Sequence, residues 1–232
     1  MSESSHPDPA AGPQAEACPV NPAVPERPRA AGEPATGNYF VSTYPPFFHW
    51  SRDEVAAALA GLDRPPAEPA PDLGLYVHVP FCVRRCKYCY YLSYDDRSPE
   101  MEPYLGAVTR ELSALMGKPA LAGRRPRFVY FGGGTPSVLS AAHVGQLLDW
   151  LRRIAPWHDD AEVSFEVAPR TVTERKLAAL KAGGVTRISM GVQQLDDDVL
   201  QANGRVHLVA DVERAYALVQ AAGFDLVNLD LM

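Results

Sequence analysis

Residues 128–136 read Phe-Val-Tyr-Phe-Gly-Gly-Gly-Thr-Pro, four β-formers that run directly into three glycines, a threonine and a proline. Aromatic and β-branched side chains suit a pleated strand, while glycine lets the backbone approach a neighbour or a ligand closely. The stretch predicts a strand over Phe128–Phe131 ending in a tight loop. A glycine-rich turn is a weak signal taken singly, and this one lacks both a Walker lysine and the full dinucleotide spacing. Four similar apolar runs lie either side: Leu75–Val79, Glu162–Val167, Arg187–Gly191 and Leu226–Leu231. Helical patterns separate them, which predicts an α/β fold of five parallel strands joined by right-handed crossovers. In a parallel barrel, all five strand ends open on one face, where active sites are found.

The intervening helices carry start and stop signals. Ser98-Pro99 reads as a cap followed by proline in the first turn, before Leu105, Val108, Leu112 and Leu115 on one face. A second helix opens at Ser140, shows Val144, Leu147, Leu148, Leu151 and Ile154, and stops before Pro156. A third has Thr171 and Glu174 spaced as a capping box and ends at Gly183-Gly184, and two more cover about Asp196–Ala202 and Leu208–Ala222. The last strand runs to Met232 with no covering helix after it, so its outer edge would expose unpaired backbone groups. The expectation is an incomplete barrel, the chain being a fragment.

Upstream the composition changes. Fourteen of the 22 prolines lie in the first 71 residues, and residues 1–38 contain no Phe, Tyr or Trp. Such a stretch buries too little apolar surface to offset the entropy of ordering, so 1–38 is read as a disordered tail. Six aromatics then fall between Tyr39 and Trp50, followed by Ser51 as the cap of a short helix to Leu62 and a Pro-rich linker. Residues 39–72 are assigned as an aromatic arm and linker, and 73–232 as the core domain. The 232 residues are 47 % apolar, and 22 basic against 28 acidic side chains give a net charge of −6, which disfavours general attraction to nucleic acid or anionic lipid. No run of about 18 apolar residues predicts a membrane span, and no secretory leader is evident, so a cytoplasmic location is expected.

Three of the four cysteines crowd into eight residues: Cys82, Cys86 and Cys89, spaced C-x3-C-x2-C just after the first strand. Cys18, in the tail, has no metal-binding neighbour. The cluster of three points to a metal, and two chemistries fit. A structural zinc site needs a fourth ligand, from His78 or another distant side chain, and would make the chain a zinc-stabilised binding module. A [4Fe–4S] cluster on three thiolates keeps one iron open to a substrate or cofactor. Glu166, Gln193-Gln194 and Asp230 add polar groups at the ends of the third, fourth and fifth strands.

Tyr-Val-His-Val-Pro-Phe-Cys (76–82) with its cysteine spacing, Phe-Gly-Gly-Gly-Thr-Pro-Ser (131–137), Gly-Val-Gln (191–193), Gly-Arg-Val-His (204–207) and Asn-Leu-Asp-Leu-Met (228–232) resemble the radical S-adenosylmethionine (SAM) enzymes of the oxygen-independent coproporphyrinogen III oxidase-like group. The resemblance runs in order from Leu73 to Met232 and implies a partial (β/α) TIM-like barrel. It implies that Cys82, Cys86 and Cys89 hold a [4Fe–4S] cluster whose free iron is chelated by SAM. Tyr76 and Tyr88 would lie beside cluster and cofactor, Gly133, Gly134 and Thr135 would contact the methionine moiety, and Glu166, Gln193, Arg205 and Asp230 would complete the SAM site. An ionised Glu166 suits ribose hydroxyls, being an acceptor.

The implied chemistry is reductive cleavage of SAM to methionine and a 5′-deoxyadenosyl radical, which abstracts hydrogen from an organic substrate of the tetrapyrrole kind. Arg84, Arg85 and Lys87 would offer a basic surface to a flavodoxin-type electron donor. Where coproporphyrinogen oxidases of the group resemble Cys-x-Cys after the third cluster position, this chain has Tyr91, a departure that sets decarboxylation of coproporphyrinogen apart. Haem-chaperone-like proteins and radical methyltransferases share the same resemblance.

Overall fold

The structure, a computed structural model, describes residues 51–66, 68–89, 91–95 and 98–232. The tail at 1–38, Cys18 within it, and the aromatic residues 39–50 lie outside the described residues. At the start of the described chain, Ser51 caps helix α1 (Arg52–Gly61) with a reciprocal box: Glu54 N–H donates to Ser51 Oγ at 3.2 Å and Ser51 N–H to Glu54 Oε2 at 2.8 Å.

Five parallel strands form one sheet in sequence order: β1 (Leu73–Val79), β4 (Pro126–Gly133), β5 (Glu162–Val167), β6 (Arg187–Gln193) and β7 (Leu226–Leu231). A separate two-stranded ladder pairs β2 (Phe81–Cys82) with β3 (Tyr94–Asp95), also in parallel. Helices α2 (Met101–Met116), α3 (Ala141–Ile154), α4 (Glu174–Ala182), α5 (Asp197–Ala202) and α6 (Val209–Ala222) alternate with the strands. The neighbour order and the parallel pairing are those the alternation predicts, and they match a partial TIM-like barrel.

The two-residue period of the strands sorts their side chains onto two faces. Val77, Val79, Val129, Phe131, Val163, Phe165, Val167, Ile188, Met190 and Val192 are buried in one core with Leu105, Leu112, Val144, Leu147, Leu148 and Leu151 from the helices. The alternate positions form the other face: Tyr76 is registered with Tyr130, Tyr130 with Ser164, and Ser164 with Arg187. Next along, Glu166 is registered with Ser189, and Ser189 with Asn228. A greasy face toward helices and an aromatic-polar face away from them follow from alternation.

Two helix starts differ from expectation. Ser98 begins a 3-10 turn, Ser98–Glu100, and α2 starts only at Met101 with no side-chain cap on its first turn. Proline fixes a φ that either kind of turn accepts, and the α-helix begins where Met101 and Leu105 reach the core. Thr171 is not a cap either. It sits buried in a 3-10 turn with its hydroxyl bonded to Ser137 and Ala168, and Thr173 caps α4 by accepting from Lys176 N–H at 3.3 Å. The cap at Ser140 and the helix end at Ile154 match the prediction. The β2–β3 ladder was not legible, since two-residue strands carry no periodicity.

Candidate metal centre

The chain leaves β1 at Val79, enters β2, and returns at β3, where Tyr94 N–H donates to Pro80 O at 2.6 Å. This closes the base of the loop that holds Cys82, Cys86 and Cys89. Within the loop, Cys89 N–H donates to Cys86 O at 3.2 Å and Arg85 donates to Cys89 O at 3.1 Å. Lys87 N–H donates to Asn203 O at 3.2 Å, fastening the loop to the turn after α5.

Each of two sulfurs meets a donor from another part of the chain. Thr135 Oγ1, after β4, is 3.6 Å from Cys82 Sγ. Arg205 Nη1, after α5, is 3.1 Å from Cys86 Sγ, and its Nη2 donates to Gly191 O at 2.9 Å. Burial pushes the Cys82 thiol up, Thr135 and Ser93 oppose the shift, and the thiols of Cys89 and Cys86 add to it. Arg205 Nε and the Tyr88 hydroxyl are buried beside them with no protein hydrogen-bond partner of good geometry, although Tyr88 lies close enough for both Arg205 and Cys86 to shift its phenol. Buried polar atoms are nearly always satisfied by protein, water or a bound group, so these two hold hydrogen-bonding capacity available to a group seated at the cysteine loop.

The three glycines pack against β1 and β5. Gly134 N–H donates to Val79 O at 2.9 Å and Thr135 N–H to Phe81 O at 2.7 Å, so both amides are committed within the fold. A Cβ at Gly134 would stand 2.7 Å from Phe81 O, and one at Gly133, with φ of +110°, would stand 2.5 Å from the His78 ring. His78 uses both nitrogens: Nε2 lies 2.8 Å from Leu92 O and must donate, leaving Nδ1 to accept from the Tyr76 hydroxyl at 3.0 Å. As placed, the ring keeps no free nitrogen for an ion. Among the described residues, no three His, Cys, Asp or Glu side chains converge on a point the size of one ion.

On the aromatic-polar face, Tyr130 donates to Glu166 Oε1 at 2.6 Å. Burial raises the Glu166 carboxyl and the charge of Asp230 adds to the shift, while the bonds from Tyr130 and Gly133 N–H oppose it. Burial and the neighbouring Glu166 push the Tyr76 phenol up to about 12, and Tyr76 stacks on Tyr130 with ring centres 6.1 Å apart. Asp230 accepts from Ser189 Oγ at 3.0 Å and Asn228 Nδ2 at 2.7 Å. Gln193 holds a left-handed φ of 70° at a bulge between β6 and β7, where its carbonyl accepts from Met232 N–H at 2.9 Å. Two sets result, one of thiols with Thr135, Tyr88 and Arg205, and one of carboxylates with Tyr76 and Tyr130. Sequence reasoning gave no site role to Tyr130, Ser189, Asn228 or His207, although Tyr130, Asn228 and His207 fall within the stretches it quoted. Counting in twos from Tyr76 and Glu166 across the register would have found Tyr130, Ser189 and Asn228.

The family profile described as the Radical SAM superfamily matches residues 76–232. The chain belongs to that superfamily. It is 36 % identical over 166 residues to a protein named heme chaperone HemW from Haemophilus influenzae, covering 70 % of this chain and 43 % of the relative. It is 35 % identical over 196 residues to oxygen-independent coproporphyrinogen III oxidase from Salmonella typhimurium, covering 82 % and 41 %. Among solved structures, coproporphyrinogen III oxidase (HemN) from Escherichia coli, described as a radical SAM enzyme, superposes with a TM-score of 0.71 at 31 % identity, covering 83 % of this chain and 44 % of that one. This radical SAM chain thus spans less than half the length of these relatives. No helix among its described residues is long and apolar enough to cross a membrane.

Proposed function

We propose that Cys82, Cys86 and Cys89 hold a [4Fe–4S] cluster and that the chain uses it with SAM to act on an organic substrate of the tetrapyrrole kind. The observation that carries this reading is the pair of donors aimed at sulfur, Thr135 at Cys82 and Arg205 at Cys86, on a loop of three thiols. Hydrogen bonds to ligand sulfurs tune such clusters. A cluster seats each thiolate on a different iron, so the sulfurs need not share one ion-sized point. When bound, the cluster and SAM supply a one-electron cleavage of the sulfonium that yields a carbon radical.

The chain's own residues bind, orient and exclude. Gly133 and Gly134 keep the floor beside β1 clear of side chains, and Gly134 and Thr135 shape it with amides already committed to Val79 and Phe81. Tyr76 and Tyr88 flank the loop, Glu166 offers acceptors to ribose hydroxyls, and Gln193, Arg205 and Asp230 line the ends of β6 and β7. Arg84, Arg85 and Lys87 are exposed beside the cysteines, a basic surface for an acidic electron donor such as a flavodoxin.

A second reading rests on the curated relatives named heme chaperones, whose identity to this chain slightly exceeds that of the oxidase. In it the chain binds haem rather than oxidising a porphyrinogen. Anaerobic reconstitution with iron and sulfide, followed by dithionite and SAM, tests the first reading: broad absorption near roughly 400 nm and release of 5′-deoxyadenosine are expected of an iron–sulfur centre. A mononuclear ion and intact SAM would overturn it. Stoichiometric haem uptake without SAM cleavage would select the second.

A further inference from the structure

His207 is buried, 1 % exposed, two residues past Arg205. Its Nε2 is 3.0 Å from Val192 O, and a carbonyl only accepts, so Nε2 carries the ring hydrogen. Nδ1 is then a bare acceptor, and Arg205 Nη2 stands 3.4 Å from it. Arg205 Nη2 also donates to Gly191 O at 2.9 Å, and Nη1 lies 3.1 Å from Cys86 Sγ. Gly191 and Val192 both belong to β6. The strand thus fixes the imidazole, strand and imidazole together take both Nη2 hydrogens, and the plane of the guanidinium leaves Nη1 against sulfur.

We propose that His207 is a positioning residue that locks the Arg205 guanidinium onto the Cys86 sulfur and thereby sets the reduction potential of the cluster that Cys86 ligates. This rests on the reading of Cys86 as a cluster ligand. A cation donating to a ligand sulfur draws electron density from it and favours the reduced cluster, which raises the potential. A neutral ring suits the task, since a protonated Nδ1 would face Arg205 with a like charge and no lone pair. Burial and the Arg205 cation hold the imidazole below its ordinary pKa, in keeping with that neutral form.

The test compares the full chain with His207→Leu, His207→Asn and Arg205→Leu after anaerobic reconstitution, reading iron per chain and the midpoint potential by a redox titration followed by electron paramagnetic resonance. The Asn side chain places an oxygen acceptor where Nδ1 stands, whereas Leu places none. Equal iron in the two His207 variants and the parent is expected, with the potential of His207→Leu shifted negative to match Arg205→Leu and that of His207→Asn close to the parent. A parent-like potential in His207→Leu, or a shift in His207→Asn as large as in His207→Leu, would overturn the inference while leaving the cluster intact. A parent chain that takes up no iron–sulfur cluster overturns the functional reading, and this inference with it.

Discussion

Arg205 Nη1 meets Cys86 Sγ at 3.1 Å across 119 residues of sequence. The contact joins the loop after β1 to the turn after α5, beside the Lys87–Asn203 backbone bond. It is therefore also part of the fold. Arg205→Leu strips a charged donor from Gly191 O as well, and losing hydrogen bonds to a charged group costs about 1.5–3 kcal/mol. A urea titration of the metal-free chain should show a lower midpoint at an unchanged slope.

The cysteines separate by role. Replacing any one of Cys82, Cys86 or Cys89 by Ala removes a proposed ligand and should abolish iron–sulfur uptake, whereas Cys18→Ala should leave iron per chain unchanged. Thr135→Val deletes only the donor at 3.6 Å from Cys82, so iron should remain while the cluster's absorption or potential shifts. Equal iron in all four cysteine variants would remove the loop from the metal site.

What the sequence disclosed follows from the range of each signal. Periodicity is local, so all five sheet strands were legible, and so was the cap at Ser140, where side chain and amide are three residues apart. Thr171, with Glu174 three residues on, satisfies a local capping pattern, yet the cap of α4 is Thr173. The choice between them is made by Ser137, 34 residues from Thr171, whose hydroxyl bond draws Thr171 into the interior. The site shows the same division. Cysteine spacing marks a candidate metal-binding loop within eight residues, but the partner of Cys86 lies 119 residues on. His207 closes the Gly-Arg-Val-His motif but carries no role that the sequence assigns, because its partner, the Val192 carbonyl, is presented by β6 only when folded.

Glu166 links stability to pH. Burial raises its carboxyl above the ordinary range, so the folded chain binds more proton than the unfolded one between the usual carboxylate pKa, near 4.3, and the raised value. Stability contributed here is present at low pH and is lost as pH rises through that window. Glu166→Gln mimics the neutral acid and keeps an acceptor for Tyr130. At pH 7 the variant should melt above the parent, and the gap should close as pH falls below 4. The same change should weaken SAM binding to the reconstituted chain by about tenfold, since a neutral amide accepts more weakly than a carboxylate and a charge-assisted bond is worth about 1.4 kcal/mol more. Higher stability with poorer binding would identify Glu166 as a residue kept for its chemistry.

Gly134 separates cradle from turn. The Cβ of Gly134→Ala would sit 2.7 Å from Phe81 O, 2.9 Å from Val79 O and 3.0 Å from Phe81 N, all backbone atoms that cannot swing aside. Two hydrogen bonds, from Gly134 N–H and Thr135 N–H, hold the turn to those same segments and would have to stretch. Overpacking of this kind costs about 1–3 kcal/mol. Gly145 supplies the control, because a Cβ there meets nothing within 4 Å and its place in α3 favours Ala by about 1 kcal/mol. Chemical denaturation should therefore move the two variants in opposite directions, Gly134→Ala down and Gly145→Ala up. Parent-like stability for Gly134→Ala would mean that the loop after β4 does not press on β1 and β2 in solution.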